Sequence, residues 1–506
     1  MSHLRLENIS KYFGKFIAND DINLSVESGT IHALLGENGA GKTTLMNILS
    51  GLYSPDRGQI YLGNQPVQIT SPNVAIKLGI GMIHQHFMLV PKLSVTENII
   101  LGTQLNWQLN LTQKAKEIVT LSQAYNLEIE PLAKVQDLPV GAQQRVEIIK
   151  ALYRQAELLI LDEPTAVLTP SEVKSLFFIL RQLAATGKTI IFISHKLEEI
   201  MQLCQTVTVL RRGKVVATTT TTDSSRQELA ELMVGRKILF QLDKPQVEVG
   251  KTVLEVKDLQ VRDERQLLAV QNISFQLHSG EILGIAGVDG NGQRELADAI
   301  TGLLLVSQGQ IKLSDKNITN CSPQQRVKNF KIGYIPEDRQ KMGLVLSFSI
   351  AKNLILKIFQ YLPFCRHWFL QNQVITHNAQ LAIKKFDIRA ENSDVKVSQL
   401  SGGNQQKVVL AREISGEPRL IIAMQPTRGL DVGATEYVQQ CLLAEKAKGA
   451  AILYISTELE EIMAISDRIA VIYEGQFIDI LDADAATIEQ IGYLMTGGKV
   501  SRNSHR

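Results

Sequence analysis

The sequence predicts an α/β fold that occurs twice in tandem, with each copy built on a mostly parallel sheet. Three observations predict it: an internal repeat, short apolar strands that alternate with amphipathic helices, and a glycine-rich loop between a strand and a helix. The chain has 506 residues, and a single domain usually holds about 100–200. A single small module is therefore excluded.

The internal repeat consists of four pairs of similar segments in the same order in both halves. The pairs are 28–52 with 279–303, 81–87 with 333–339, 138–148 with 400–410, and 158–168 with 420–430. Such self-similarity indicates duplicated structural units. We expect domains at 1–240 and 251–500, joined by a linker at 241–250, with the polar stretch 218–225 also in the linker region. The second half is longer, because 359–369 adds a segment with five aromatic residues in eleven positions.

Strands and helices alternate within the first half. Short apolar runs at 31–35, 158–161 and 189–194 are typical of strands in a parallel sheet. Between the last two runs, Thr169 is the expected N-cap of a helix that continues to Gly187. Strand, helix and parallel strand in this order place ligands at the carboxyl ends of the strands.

That helix has start signals and an apolar face. Pro170 suits its first position, and Glu172 completes a capping box with the N-cap threonine. Its apolar face is formed at spacings of three and four residues by Val173, Leu176, Phe177, Leu180 and Leu183.

A phosphate-binding loop follows the first of these strands. GENGAGKT at 36–43 matches the pattern G-x-x-x-x-G-K-[ST] between a strand and a helix. Backbone N–H groups of such a loop wrap phosphates, Lys42 reaches the outer phosphates, and the Thr43 hydroxyl is offered to Mg²⁺. The predicted nucleotide-binding residues of this loop are Gly36, Glu37, Asn38, Gly39, Ala40, Gly41, Lys42, Thr43 and Thr44.

An acidic pair follows the second strand. Asp162 ends an apolar run, where a carboxylate can bind Mg²⁺. Glu163, the next residue, can orient or deprotonate an attacking water. Together with the loop, this pair predicts a site for a magnesium nucleotide.

These motifs resemble those of the ABC transporter ATPases over both halves of the chain. The resemblance places Gln85 in the Q-loop, LPVGA at 138–142 and LSGGN at 400–404 as signatures, and His195 as the switch histidine. It implies a parallel core with an antiparallel β subdomain and a helical subdomain in each half. It also implies ATP and Mg²⁺ as cofactors, with Phe13 against adenine.

The resemblance also assigns roles to these residues. Glu163, His195 and Lys42 form the implied catalytic set, with His195 sensing the γ-phosphate. Thr43, Gln85 and Asp162 are the implied metal ligands. The implied contacts from the signature to the nucleotide come from Ser401, Gly402 and Gly403.

The two halves differ at the residues that carry chemistry. The second half has Gln293 for Lys42, Arg294 for Thr43, Glu337 for Gln85, Met424 for Asp162, Gln425 for Glu163 and Thr457 for His195. The first half instead departs in its signature, where Pro139 and Val140 replace a serine and a glycine. Proline cannot supply the N–H or hydroxyl that a phosphate needs.

ABC ATPases pair head to tail, so that each phosphate loop faces the signature of the other half. Under that arrangement the intact first loop faces the intact signature at 401–403, and the altered second loop faces Pro139. All of the losses then fall on one site. We expect one hydrolytic site and one degenerate site, which can still hold a nucleotide through the backbone of Gly287, Gly290 and Gly292.

Charge, apolar runs and cysteine spacing exclude several classes of protein. The chain has 53 Lys and Arg against 51 Asp and Glu, so no overall field favours nucleic acid, and no nucleic acid partner is expected. Neither a secretory signal nor an apolar run long enough to cross a membrane is found. Four scattered cysteines give no zinc or disulfide pattern. These features predict a soluble protein inside the cell, and the resemblance implies a peripheral position on the cytoplasmic face of the inner membrane.

Tandem chains of this kind resemble the ATPase subunits of nucleoside and sugar importers and the ABC-F translation factors. Segments 84–102, 140–152, 287–296 and 335–356 are more similar to the nucleoside type. The prediction is an importer ATPase that works with transmembrane permease subunits and, indirectly, a substrate-binding lipoprotein. A sugar importer, a soluble translation factor and a nucleic-acid-remodelling ATPase stay open. The aromatic segment 359–369 either contacts the permease or packs on its own helical subdomain.

Overall fold

The computed structural model describes residues 2–84, 87–103, 110–165, 168, 170–236, 244–245 and 247–498. The chain forms two compact units, Met1–Ile238 and Leu239–Arg506. Of the helices in the described ranges, none combines the length and apolarity that crossing a bilayer requires.

The first unit contains ten strands and eight α-helices among its described residues. In chain order they are β1 Ser2–Phe13, β2 Phe16–Glu27, β3 Ile31–Leu35, α1 Lys42–Leu49, β4 Arg57–Leu62, β5 Gln65–Val67, α2 Pro72–Lys77, β6 Ile80–Ile83, α3 Val95–Ile100, α4 Leu111–Ala124, α5 Val140–Tyr153, β7 Leu158–Asp162, α6 Pro170–Ala185, β8 Thr189–Ile193, α7 Leu197–Leu203, β9 Thr206–Arg211, β10 Lys214–Thr220 and α8 Arg226–Val234.

The second unit repeats this order among its described residues and also contains a small two-stranded hairpin. In chain order its elements are β11 Thr252–Arg262, β12 Leu268–His278, β13 Ile282–Ala286, α9 Gln293–Thr301, β14 Val306–Leu313, β15 Lys316–Asn317, α10 Pro323–Phe330, β16 Ile332–Ile335, α11 Ile350–Leu354, β17 Cys365–Arg366, β18 Phe369–Leu370, α12 Asn372–Lys385, α13 Gly402–Ile414, β19 Leu420–Met424, α14 Val432–Ala447, β20 Ala451–Ser456, α15 Leu459–Ile465, β21 Arg468–Tyr473, β22 Gln476–Asp482 and α16 Ile488–Met495.

Each unit has a six-stranded sheet with five parallel strands and one antiparallel edge strand. The order is β10-β9-β3-β8-β7-β6 in the first unit and β16-β19-β20-β13-β21-β22 in the second. Each unit also has a four-stranded antiparallel sheet, β2-β1-β4-β5 and β12-β11-β14-β15. The predicted α/β fold, with parallel core and antiparallel subdomain in both halves, is confirmed.

The central strands are apolar because both of their faces are covered. All five residues of β3, β8 and β13 are buried, as expected for a parallel sheet between two layers. The helices α3, α4 and α5 pack together beside the first core, and α11, α12 and α13 do so beside the second. These form the helical subdomain of each unit.

Strand register brings the predicted site residues to one edge of the first sheet. Ile193 at the end of β8 pairs with Asp162 on one side and with Leu34 on the other. The segments that follow β3, β7 and β8 therefore leave the sheet side by side. They begin with Gly36, Glu163 and Ser194.

Two predictions about local structure need correction. The stretch 218–225 is not linker, since Thr218–Thr220 pair with β9 as part of β10, and β-branched threonine suits a strand. The third predicted strand ends at Ile193, one residue early, because the Ser194 side chain bonds to Glu199 instead. Thr169 lies outside the described residues, as do parts of 241–250. The domain boundaries stay predictions.

Candidate nucleotide site

The glycine-rich loop of the first unit packs tightly under the end of β3. Gly41 has a left-handed backbone with φ of 102° at the N-cap of α1, and a Cβ there would lie 2.5 Å from the Ala18 carbonyl oxygen. A Cβ on Gly36 would lie 2.4 Å from the Leu210 carbonyl oxygen. Only glycine fits both positions, so the loop backbone is fixed by the strands around it.

The Lys42 side chain is buried inside this loop. Its side chain is only 7% exposed, and its Nζ donates to the carbonyl oxygens of Gly36 at 2.6 Å and Glu37 at 3.0 Å. The positive end of the α1 dipole lies at the same place. Thr43, in the first turn of α1, is exposed. The loop thus places an ammonium group and a hydroxyl at an anion-binding helix end.

The two carboxylates lie beside this loop at the end of β7. Burial raises the pKa of Asp162, the neighbouring Glu163 raises it further, and Lys42 and His84 act in the opposite direction. Glu163 has a left-handed backbone with φ of 47°, and its N–H donates to the Ile193 carbonyl. This conformation costs a residue with a Cβ about 1–2 kcal/mol. It turns the Glu163 side chain away from the line of the strand.

His195 contacts the second carboxylate. Its Nδ1 lies 3.0 Å from Glu163 Oε1, and the imidazole donates because an ionised carboxylate only accepts. This hydrogen bond is the main cause that lowers the pKa of Glu163, against the raising effect of burial. This contact and the nearby Lys42 both favour the charged form of the Glu163 carboxylate.

The donor set fits a magnesium ion in the first unit. Asp162 is a partly buried carboxylate whose pKa is raised by burial and a second carboxylate, so a nearby cation would stabilise its charged form. Carboxylate and hydroxyl oxygens are the ligands that Mg²⁺ prefers, often just one or two from the protein. The second unit does not fit, since Met424 supplies a thioether instead.

The second phosphate loop keeps its backbone but is filled by its own side chain. Gly292 is left-handed with φ of 94°, as Gly41 is in the first unit. Gln293 is 5% exposed; its Nε2 donates to the Val288 carbonyl at 2.9 Å, and its Oε1 accepts from the Asn291 N–H at 3.0 Å. A neutral amide therefore takes the place of the ammonium group.

Acidic residues line the cavity above that second loop. The cavity has a volume of about 300 Å³, and Asp289, Glu337 and Gln425 are among its lining residues. The Gln425 amide donates to Asp289 at 2.9 Å, which ties the loop to the end of β19. Three carboxylates, those of Asp289, Glu295 and Glu337, and one guanidinium, that of Arg294, line the walls, and Thr457 supplies no imidazole.

The signature helices begin differently in the two units. Ser401 caps α13 by accepting from the Asn404 backbone N–H at 3.4 Å, and its hydroxyl also accepts from Asn404 Nδ2 at 3.0 Å. Pro139 precedes α5 without a side-chain cap. In the second unit, the Arg339 guanidinium lies over the start of α13, 2.7 Å from where a Cβ on Gly402 would be. It donates to the Arg428 carbonyl oxygen at 2.8 Å. Arg428 in turn pairs with Glu337.

Two further predicted site residues are Phe13, which the structure describes, and Gln85, which it does not. Phe13 ends β1 and is 43% exposed. It contacts the Tyr53 ring edge-on at 5.4 Å, and Lys11 Nζ lies 5.7 Å from its ring centroid. Gln85 lies outside the described residues. The assigned roles of all these site residues stay predictions.

Sequence reasoning missed a buried glutamate behind the site. Glu199 accepts from the hydroxyls of Thr165 and Ser194, both at 2.8 Å, and so joins the segments after β7 and β8. Glu461 accepts equivalently from Thr427. The signal was the identical run LEEIM at 197–201 and 459–463.

The sequence of this chain is similar to those of known proteins. The ABC transporter family profile matches residues 19–166 and 270–428. The nucleoside import ATP-binding protein NupA of Lactococcus lactis subsp. cremoris is 48% identical, covering 98% of this chain and 99% of its own. The guanosine import ATP-binding protein NupO of Bacillus subtilis is also 48% identical, with 98% and 97% covered. The glucose import ATP-binding protein TsgD13 of Haloferax volcanii is 44% identical, with 98% and 96% covered.

Proposed function

The chain belongs to the ABC transporter family, and from this membership we propose that it is the ATP-hydrolysing subunit of an importer whose cargo is a nucleoside. One observation carries the proposal: Lys42, Asp162 and the Glu163–His195 pair converge on one phosphate loop. The identity to two proteins named for nucleoside and guanosine import, over almost the whole chain, supports the cargo class.

The residues of the first unit perform hydrolysis together. The loop backbone and Lys42 bind the β- and γ-phosphates of ATP, which offsets their charge as the bond to the γ-phosphate breaks. Glu163 accepts a hydrogen bond from the attacking water and takes its proton. His195 keeps that carboxylate ionised and aimed. Bound Mg²⁺, held by Asp162 and Thr43 with Gln85 as a further ligand, would supply positive charge at the phosphate oxygens.

We propose that the second unit completes this site. In a head-to-tail arrangement, Ser401, Gly402 and Gly403 close over the ATP held by Lys42. The capped start of α13 offers a hydroxyl and the positive end of a helix dipole for this purpose. The other composite site would combine the amide-filled loop at Gln293 with Pro139, and it does not hydrolyse ATP.

The partners and location follow from this role. ATP closes the two units, closure drives transmembrane permease subunits, and hydrolysis resets them. A lipoprotein delivers the nucleoside outside, while this chain lies on the cytoplasmic face of the inner membrane. The binding chemistry for the cargo then belongs to those partners.

Reconstitution tests the function and the cargo together. The chain and its permease subunits in proteoliposomes should release phosphate faster when the binding protein carries a nucleoside than when it carries a pentose or hexose. The sugar importer is the second candidate, favoured by the 44% identity to a protein named for glucose import. Stimulation by the sugar-loaded protein alone would overturn the nucleoside assignment.

A further inference from the structure

The second unit carries an exposed hairpin between α11 and α12. The aromatic hairpin, residues 358–370, contains the short strands Cys365–Arg366 and Phe369–Leu370, which pair antiparallel. It lies in the longer stretch that separates the repeat segments of the second half. None of its side chains takes part in the nucleotide site described above.

The aromatic hairpin is a defined structure. His367 and Trp368 form its two-residue turn, with φ of 48° and 70°; two successive positive φ angles are those of a tight hairpin turn. Phe364, 8% exposed, anchors the base in the core, and the Gln371 N–H donates to its carbonyl at 2.8 Å. The idea that this segment packs on its own subdomain therefore holds for Phe364.

Other large apolar side chains of the aromatic hairpin are exposed, unlike Phe364. Trp368 is 98% exposed, and Phe369 and Leu362 are each 76% exposed. A soluble surface seldom presents several large apolar side chains together unless they contact a partner. Trp368 lies in the two-residue turn and Phe369 directly after it, so both exposed rings are at one end of the hairpin.

The charge around the aromatic hairpin is mostly positive. Residues 339–399 contain nine Lys and Arg and three Asp and Glu, whereas the matching segment 87–137 contains four Lys and five Asp and Glu. Arg366 is exposed next to the turn, and Lys328 Nζ lies 4.7 Å from the Tyr361 ring. Lys357 is compensated by Glu413, but no acidic residue of the hairpin itself offsets Arg366.

We propose that the aromatic hairpin binds the surface of a bilayer that contains anionic lipid. Tryptophan and phenylalanine favour the interface between headgroups and acyl chains, and lysine or arginine beside them is attracted to anionic headgroups. The proposal rests on the proposed function only in placing the chain at a membrane. A direct lipid contact on one unit would orient the ATPase beneath its permease.

Vesicle binding tests the proposal with the full chain alone. Vesicles of phosphatidylcholine with 30% phosphatidylglycerol, about one lipid in three, should sediment the wild-type chain, and pure phosphatidylcholine should sediment much less. Trp368→Ser combined with Phe369→Ser should lower binding at least about tenfold. Phe178→Ser, at a 58% exposed phenylalanine of α6, is the matched control and should change nothing.

Tryptophan fluorescence locates the contact. The chain has two tryptophans, so Trp107→Phe leaves Trp368 as the sole reporter. Its emission should shift to the blue with anionic vesicles, and high salt should reverse the shift, since screening weakens attraction to the headgroups. Arg366→Gln should reduce the preference for anionic lipid. Circular dichroism and ATP turnover of the soluble variants check that they are folded.

Two results would overturn the proposal. One is vesicle binding that is absent in the wild type or unchanged in the double variant. The other is a double variant that binds vesicles normally but no longer retains the permease subunits, which would make the hairpin a protein contact. Vesicle binding requires neither ATP nor permease, so failure of the import test alone would refute the proposed function and leave this result standing.

Discussion

The two units share a backbone and differ in chemistry. Gly41 and Gly292 adopt the same left-handed conformation, with φ of 102° and 94°. Glu163 and Gln425 share a positive φ of 47° and 42°. The loop and the strained turn therefore survive where the residues that act on ATP have been replaced. Core packing maintains this backbone, and the side chains on it are free to differ.

The two units also differ in the contacts that the residues at the altered positions make. In the second unit, residues at two of the altered positions bond to other side chains of the same unit: Gln425 to Asp289, and Glu337 to Arg428. In the first unit, Lys42 bonds to loop carbonyls and Glu163 bonds to His195, and these are the residues predicted to act on ATP. Both units therefore hold these side chains by internal contacts, and the units differ in the chemistry of the groups that are held. The proposed contribution of the second unit to hydrolysis is the signature at the start of α13.

The largest expected effect comes from Glu163→Gln. The variant should still bind ATP, but turnover should fall about 10²–10⁴-fold, the usual contribution of a general base. Steady-state phosphate release and binding of a fluorescent ATP analogue measure the two properties. Gln425→Glu, the reverse change in the other unit, should leave turnover near the parent value. A Glu163→Gln variant with parental turnover would show that the base has been misassigned.

His195→Ala should slow turnover roughly tenfold at neutral pH. It removes the hydrogen bond that lowers the pKa of Glu163, so that pKa should rise and more of the base should be protonated in acid. The acid limb of the pH–rate profile should therefore move to higher pH. Thr457→Ala, at the matching position, should leave the profile unchanged. An unshifted acid limb in His195→Ala would separate the histidine from the base.

Arg339→Ala tests whether the second unit positions the signature. Loss of the guanidinium over Gly402 should lower turnover about fivefold through poorer alignment at the first unit's ATP. Arg339→Lys should restore little, because lysine lacks the planar fork. The control is Arg265→Ala, at an exposed arginine paired with Asp263. Equal turnover in all three variants would contradict the role of Arg339.

The smallest expected effect is that of Phe13→Ala. Loss of a stacking ring should raise the KM for ATP about threefold with little change in kcat. Phe16→Ala, at a 63% exposed phenylalanine, is the comparison. A changed kcat with an unchanged KM would place Phe13 outside the adenine site.

The sequence predicted the fold and most of the first site because those features depend on local patterns. The repeat, the apolar strands and the loop motif each need only neighbouring residues. Side-chain contacts between distant segments could not be predicted in this way: Gln293 filling its own loop, Glu199 joining two strand ends, and Arg339 over Gly402. Threonine-rich 218–225 was misread because polarity was weighed above β-branching.

Four substitutions measured in one preparation of the assembled transporter test the asymmetry most directly. Lys42→Ala and Ser401→Pro each remove a phosphate contact from the proposed hydrolytic site, so each should abolish most steady-state phosphate release. Gln293→Ala and Pro139→Ser alter the other site, so each should leave most of the steady-state phosphate release unchanged. Equal losses from Lys42→Ala and Gln293→Ala would mean that both sites hydrolyse ATP or that the units do not pair head to tail, and would contradict the account.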